Sequence, residues 1–476
     1  MIEALPRVFV LGYHLRSFSL DGLTVDFWAL LGATGLLVDK DSMNRRTFLQ
    51  ISAGAAVAAS RVLGANDRIN VAVVGFGNRA HDLVPVFGKL PDCRVAAICD
   101  IDQSRMAAGV EFAEKAQGSK PIAYQDIRKL LENKDIDALA ISACNHWHAL
   151  ATIWGCQAGK DVYVEKPCSH NVWEGRRMVE AARKYKRIVQ VGMQGRSLEH
   201  KKRAIELLHQ GVIGKLYLAK GLCYKRRLSI GHLADSPAPS GVDYDIWRGP
   251  APMRPFNANR FHYKWHWFWD TGNGDIGNQG PHQLDLARWG LGKTTHPRTI
   301  VSTGGKVVYD DDQETPNTLF TTYRYSDCEI QFEVRGLPTN GEGDITYDPR
   351  NKGYIGNLYY GSDGFMTLDY SGFRIYKGDG REPVQEMKYT EPQADDNVPH
   401  ARNFLACMRN RNYAELAADI EDGHVSTSLA HLANIGYRLG RTLEFDAAKE
   451  TFLHDDEANR YLTREYRRPF VVPAEM

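Results

Sequence analysis

The sequence has no C-x-x-C pair. Its eight cysteines are scattered singly, which excludes zinc ribbons and thioredoxin-type redox pairs and leaves Cys99 and Cys144, at predicted strand ends, as buried free thiols. Neither charge is in excess: 59 Lys and Arg stand against 58 Asp and Glu, and a net charge of +1 lacks the basic face that a nucleic-acid partner requires. Long hydrophobic runs are missing too. The apolar stretch 28–38 is too short to span a bilayer and is flanked by Asp26 and Asp39. No internal repeat or low-complexity tract stands out. What is left, 43% hydrophobic and 25% charged over 476 residues, is an ordinary globular composition in a chain too long for one core.

The chain is organised around residues 70–102. Val71 to Val74 is a β-branched run of buried-strand length, and it ends in Gly75-Phe76-Gly77-Asn78-Arg79-Ala80, which fits G-x-G-x-x-(G/A). The first Gly permits a tight turn, the second lets backbone approach a pyrophosphate, and the small third residue lets helix pack on strand. Backbone N–H groups from Asn78 and Arg79 onward, at the positive end of the new helix, would hold the diphosphate. A second strand, 94–99, ends in Asp100, near the offset of about 20 residues at which a carboxylate meets the ribose hydroxyls. That carboxylate repels a 2′-phosphate, so the expected cofactor is NAD rather than NADP. Pro85 falls inside the first helix and is expected to end or kink it early.

Upstream, Met43-Asn44-Arg45-Arg46-Thr47-Phe48-Leu49-Gln50 and the small-residue apolar run 51–59 have the form of a twin-arginine export signal, with Leu63-Gly64-Ala65 as a cleavage site. Residues 43–66 are therefore read as the signal and the mature protein as periplasmic. Residues 1–42 match no pattern and are expected to be upstream sequence translated by mistake.

Beyond Asp102 the pattern alternates. Helices are predicted at 104–116, 127–131, 149–158 and 172–185, and strands at 122–124, 138–142, 161–164 and 188–191. This alternation predicts a doubly wound α/β Rossmann domain over 67–191 with a parallel sheet. Asn145 and His148 follow one strand, and Glu165-Lys166-Pro167 follows another, so both groups stand at the carboxyl edge where such a sheet presents ligand. From 192 to 400 the segments 318–325, 329–334, 366–370 and 373–376 alternate at period two. They predict a C-terminal α+β domain with an open, mostly antiparallel sheet. Helices at 401–409 and 423–440, within a last segment 401–476, are expected to pack back on the core.

Gly75-Phe76-Gly77, Asp100, Glu165-Lys166-Pro167 and residues 272–289 together resemble the glucose–fructose oxidoreductase, inositol dehydrogenase and MocA family, over the chain from about residue 69 to its end. The resemblance implies hydride chemistry on sugars or polyols, a sheet face that forms a homo-oligomer contact, and a candidate cis peptide before Pro167. The residues carry the same reading. Lys166 can bond a substrate hydroxyl and stabilise alkoxide character as hydride leaves. Glu165 is placed to orient Lys166 or the nicotinamide ribose.

His282 follows Pro281 in a first helical turn, where the dipole favours the neutral imidazole of a general base. Asp285, three residues on, shares its helical face and is placed to orient it. Family dehydrogenases usually carry an Asp four residues before the His. Here that position is Asn278, so a His–Asp proton dyad at that spacing is absent, and Asn278 becomes a candidate substrate contact.

Trp265 and Trp267 are candidate sugar-stacking indoles, although aromatics this dense also suit a core or a subunit interface. Gln194 and Arg196 either border the nicotinamide, reach a substrate or sit in a solvated loop. His262 and His266 have H-x-x-x-H spacing, but no Glu lies between them and no metal is assigned. The leading expectation is an exported NAD-dependent oxidoreductase acting on a sugar, sugar acid or polyol. An NAD-dependent glycosidase, working by transient oxidation and elimination, is the alternative. A sugar-binding protein without catalysis comes third.

Overall fold

The computed structural model describes residues 68–390 and 396–476, together with the backbone of 17–20 and 23–26. The chain divides into two units, 1–68 and 69–476. In the first, Ser17–Leu20 and Leu23–Asp26 pair as an antiparallel hairpin. The twin-arginine segment and its cleavage site lie outside the described residues.

The second unit opens with strand β1 (Ile69–Val74), whose side chains are nearly all buried. Strands β2 (Cys93–Cys99), β3 (Ile122–Tyr124), β4 (Ala138–Ile141), β5 (Asp161–Val164) and β6 (Val189–Val191) join it in a six-stranded parallel sheet of order β3-β2-β1-β4-β5-β6. Strand order reverses between β1 and β4, so the crevice beyond their carboxyl ends is the topological switch point where such sheets bind ligand. Ser142 Oγ donates to Gly75 O at 2.8 Å there and ties the two strand ends together. Helices α1 (Ala80–Lys89), α2 (Gln103–Gln117), α3 (Ile127–Glu132), α4 (Asn145–Gln157) and α5 (Val172–Lys184) make the crossovers.

Pro85 does not end α1. Leu83, Val84, Val86 and Phe87 are buried on both sides of it. Burying such side chains stabilises by roughly 1.5–3 kcal/mol each, which outweighs the roughly 3 kcal/mol cost of an interior proline. Helix α4 begins at Asn145 rather than 149, so residues 145–148 form its first turn.

After helix α6 (Glu199–His209) the chain enters an eleven-stranded sheet through β7 (Leu216–Lys225). Strand β7 lies at the middle of this sheet. It pairs parallel with Glu329–Arg335 and antiparallel with Gly353–Gly361, while the remaining named pairings are antiparallel. The period-two reading at 329–334 is met by burial of Ile330, Phe332 and Val334. Strands β7 and 353–361 escape that reading because both faces are largely covered, so neither alternates cleanly.

One face of the sheet is packed by helices α7 (Gly280–Gly290) and α8 (Ile420–Leu439), whose Leu284, Ala287, Leu429 and Ala433 join Tyr323, Phe332 and Tyr359 in one apolar cluster. Gly290 is required at this contact, because a Cβ there would stand 2.3 Å from the Tyr359 ring. The tail folds back: Phe470 and Val472 are buried among Rossmann residues. Among the described residues no helix is long and apolar enough to cross a membrane.

Candidate active site

The turn after β1 is shaped by what its glycines leave out. Gly75 has φ +87°, and a Cβ on it would lie 2.7 Å from the Ala143 backbone, so this residue serves the fold. Gly77 is different. A Cβ there would find no protein atom nearer than the Arg105 guanidinium at 3.6 Å, so the space kept open is for a ligand. Gly77 and Asn78 begin one wall of a 260 Å³ cavity that continues past Asp100, Asn145 and His148 to Glu165, Lys166 and Asn278. This is the path a dinucleotide takes across a switch point, and the residues fit NAD.

Asp100 accepts from the Phe76 N–H at 2.7 Å and from the Asp102 N–H at 2.9 Å. Burial raises its pKa, and these two bonds oppose that. NAD is expected to bind at least about tenfold tighter than NADP in a fluorescence titration, since a like charge set against this carboxylate costs over a kcal/mol. Equal affinities would remove Asp100 from cofactor choice. Arg105 is the residue placed to accept the extra phosphate once Asp100 is replaced by serine.

Arg79 reaches from the glycine turn to Glu165, with Nε 2.8 Å from Oε1, and on to Asn397 Oδ1 at 2.7 Å. Gln194 donates to the same Glu165 oxygen at 3.2 Å and to Tyr163 Oη at 2.7 Å, so it supports Glu165 from beneath. His148 has its ring nitrogens 2.6 Å from Pro167 O and 2.9 Å from Ala143 O. It therefore braces the Lys166–Pro167 cis peptide rather than offering a free nitrogen to the cofactor. Asn145 donates to Asn273 Oδ1 at 3.0 Å and lines the cavity beside it.

Lys166 is half-buried, and its Nζ donates to the Asn278 carbonyl at 2.6 Å. Burial brings its pKa down to about 8 against the opposing pull of Glu165, with Arg79, Lys225 and Arg227 adding to the fall. Asn278 thus meets the lysine through its backbone, while its side-chain amide donates to Asp275 at 3.3 Å.

Two residues that sequence reasoning left out of the site stand on the same wall. Tyr263 and His266 lie on a 3₁₀ turn, His262–Trp267, with ring centroids 4.7 Å apart. His266 Nδ1 is 2.6 Å from Tyr263 O. A carbonyl only accepts, so this nitrogen carries the proton and Nε2 is left as an acceptor with no partner among the described residues. Burial, with Lys166 and Arg227 adding to it, lowers the His266 pKa to about 3. Trp265 stacks on this imidazole at 3.6 Å and lines the cavity; Trp267 does not. Trp267 is buried in the packing with Arg227 5.2 Å from its ring, which removes it as a sugar platform. His262 points toward Asp102, 3.7 Å away, so the two histidines do not share a helical face.

His282 sits in the first turn of α7 as expected, but it lines a neighbouring groove of 1340 Å³ that meets the cofactor cavity at Arg79. Its pKa is held well below the usual value by burial first, and then by Lys166, Lys201 and Arg79. Asp285 does not orient it. Both Asp285 oxygens are taken by Arg196, at 2.8 and 2.9 Å, and Ser426 donates to one of them at 2.7 Å. Burial alone would raise the Asp285 pKa, and Arg196 outweighs it. The same pairing withdraws Arg196 from nicotinamide and substrate, since its guanidinium is spent on a buried carboxylate.

His296, His424 and Glu450 bring three potential metal-binding atoms together, yet Arg176 forks Glu450 at 2.7 and 3.1 Å. With the imidazoles 2.7 and 2.8 Å from the same oxygen, this cluster is closed by hydrogen bonds.

Residues 69–193 match the family model of an oxidoreductase family's NAD-binding Rossmann fold, and residues 207–472 match its C-terminal alpha/beta domain. A Saccharopolyspora erythraea protein named as a glycosyl hydrolase family 109 protein is 25% identical over 162 residues, 33% of this chain and 35% of its own length. An alpha-N-acetylgalactosaminidase of Shewanella oneidensis is 28% identical over 152 residues, 31% of this chain and 33% of its own. The chain thus matches about a third of the length of these curated relatives. The WlbA dehydrogenase of Bordetella pertussis, solved with NADH and UDP-GlcNAcA, shares the fold with TM-score 0.58 and 19% identity, covering 80% of this chain and 99% of that one. A levoglucosan dehydrogenase, solved with NADH and levoglucosan, does so with TM-score 0.60 and 16% identity, covering 79% and 99%. With both of its halves matched, the chain belongs to the glucose–fructose oxidoreductase, inositol dehydrogenase and MocA family of NAD-binding oxidoreductases.

Proposed function

We propose that this protein is an exported, periplasmic enzyme that moves hydride between a sugar, sugar acid or polyol and a tightly held NAD. One observation carries the reading: Lys166, with its pKa lowered to about 8, lies at the far end of the cavity that begins at the Gly75–Ala80 turn. Bound NAD supplies the hydride acceptor there. Near neutral pH Lys166 exists in both forms, so the amine takes the hydroxyl proton and the ammonium stabilises the alkoxide. His266 Nε2 accepts a second sugar hydroxyl and fixes which carbon faces the nicotinamide. Export rests on the Arg45-Arg46 motif, and a second copy is placed against the open face of the sheet.

A second reading, the NAD-dependent glycosidase, has the relatives' printed names in its favour. It would use the same lysine to take a proton from the oxidised ring, after which the aglycone leaves, water adds to the unsaturated ring, and hydride returns from the nicotinamide to the sugar. Absorbance at the nicotinamide band separates the two on one panel of free sugars and nitrophenyl glycosides. Reduction of the bound nicotinamide, up to about one NADH per chain, is the expected result. Release of nitrophenol without net NADH would replace it with the glycosidase.

A further inference from the structure

Behind the cavity wall that carries Asn278, Tyr263 and His266, one guanidinium reaches toward both ends of it. Arg227 stands two residues past the end of β7, where its N–H donates to Gly336 O at 2.8 Å, and it does not line the cofactor cavity. Its Nε and Nη2 fork the buried carboxylate of Asp275 at 3.0 and 2.5 Å, and Nη1 donates to the Tyr263 hydroxyl at 3.1 Å. The Trp267 ring, 5.2 Å from the guanidinium carbon, backs the fork.

Each arm continues to a group on the cavity wall. Asp275, in the short helix Gly274–Asn278, accepts from the Asn278 amide at 3.3 Å, and the Asn278 carbonyl is the partner of Lys166 Nζ. On the other arm the Tyr263 carbonyl is the partner of His266 Nδ1. The Asn278 amide also reaches the Tyr263 hydroxyl at 3.4 Å and joins the two arms. A buried ion pair of this kind adds little stability over an apolar filling of the same shape, so its use lies in direction. A planar fork with a third donor left over is what lysine cannot supply.

We infer that Arg227 is a positioning residue for the hydride step: from behind the cavity wall it sets Asn278 against Lys166 and Tyr263 against His266, and so fixes the spacing between the proton acceptor and the imidazole that takes the second hydroxyl. This rests on the hydride reading above. Charge supplies a readout that packing alone would not move. Lys166 is faced by Glu165 on its own turn, by Arg79 from the glycine turn, and by Lys225 and Arg227 from the end of β7. The imidazoles of His148, His266 and His282 also face it, and burial lowers the pKa of all three. Burial first, and then Arg79, Lys225 and Arg227, bring Lys166 to about 8 against the pull of Glu165. Removing the Arg227 charge therefore raises the Lys166 pKa, and an Asp275 left without its counter-ion acts in the same direction.

The test uses the full chain with its bound cofactor, isotope-labelled at the lysine ε-carbons, and its first arm needs no substrate. Lys166→Ala assigns the Lys166 signal, which should titrate near pH about 8 in the wild type. In Arg227→Gln the midpoint should move to higher pH, and in Arg227→Lys, which keeps the charge, it should stay in place. The second arm reads reduction of the bound nicotinamide by the panel of free sugars. Arg227→Lys, which loses the fork, should be about 10- to 100-fold slower with its pH limb unmoved, the range of a misplaced catalytic group. Arg226→Gln, which removes the same charge from an exposed neighbour, should change neither reading. A Lys166 titration unmoved by Arg227→Gln, or wild-type reduction by Arg227→Lys, would overturn the inference; the second variant decides alone if the first does not fold. A panel on which no sugar reduces the nicotinamide, while Arg227→Gln still shifts the titration, would remove the hydride reading and keep Arg227 as the residue that sets Lys166.

Discussion

Lys166→Ala is expected to lose two to four orders of magnitude in turnover while melting within a few degrees of the wild type. The size follows from removing a charge stabiliser and a proton-transfer partner at once, which costs roughly 3–5 kcal/mol at the transition state. Folding is spared because the side chain contributes one bond, to the Asn278 carbonyl, and is held in a site that disfavours its charge. The pH profile gives the effect a signature. Proton uptake needs the neutral amine, so oxidation should climb about tenfold per unit below pH about 8 and level off above it. Lys166→Arg should lose this limb, because a guanidinium does not deprotonate in the working range and its planar fork does not fit a point-charge site. Neither His266, lowered to about 3, nor His282 titrates near that limb, so it belongs to the lysine. Near-wild-type turnover in Lys166→Ala, with an unchanged midpoint, would take Lys166 out of the mechanism.

The sequence made the Rossmann half legible because each of its signals is local. A β-branched run, two glycines with distinct steric duties and an acid at the end of the next strand read the same alone as in the fold. Lys166 was legible for the same reason: a strand's carboxyl end delivers whatever follows it to the ligand edge. The site's other half depends on contacts far apart in the chain, and there helical spacing misleads. Asp285 shares a face with His282, but sharing a face does not decide which partner wins. A guanidinium arriving from Arg196 offers two charge-assisted bonds, and an imidazole offers one. At 262–266 the spacing of four would have put two histidines on one face of an α-helix, and the crowded aromatics argued against that helix. The backbone is a 3₁₀ turn instead, where residues three apart eclipse, so the pair that meets is Tyr263 and His266. A Tyr-x-x-His run amid aromatics was the available signal, and without the turn type it could not be read.

NAD is expected to leave the column with the protein, at about one molecule per chain, when no cofactor is added during purification. The physical ground is a strap. Residues 226–243 have little regular structure and lead into the segment whose Ile246, Trp247, Phe261 and His262 supply a second wall of the cavity. The strap is pinned to the Rossmann sheet by backbone bonds, from the Gln103 N–H to Gly241 O at 3.1 Å and from the Asp243 N–H to Ile101 O at 3.0 Å. The Gln125 amide adds bonds to Ile101 O at 3.0 Å and Gly241 O at 3.1 Å. These bonds anchor the chain that leads into the second wall, so loosening them is expected to speed cofactor loss. Staying bound through a purification needs affinity near nanomolar, about −12 kcal/mol. The export proposed above gives a reason to hold it so tightly. Free NAD is scarce outside the inner membrane, and a reaction that released its cofactor each turn would stop. The hydride must therefore leave the bound ring again, taken by a second substrate or taken back by the same one. Gln125→Ala, which unpins one corner of the strap, should speed loss of NAD by about tenfold, the worth of one or two net hydrogen bonds. The assay is to denature the purified protein and measure nicotinamide dinucleotide in the supernatant. Protein that comes out empty, and takes up NAD only in the high micromolar range, would refute the closed cycle while leaving the fold and Lys166 in place.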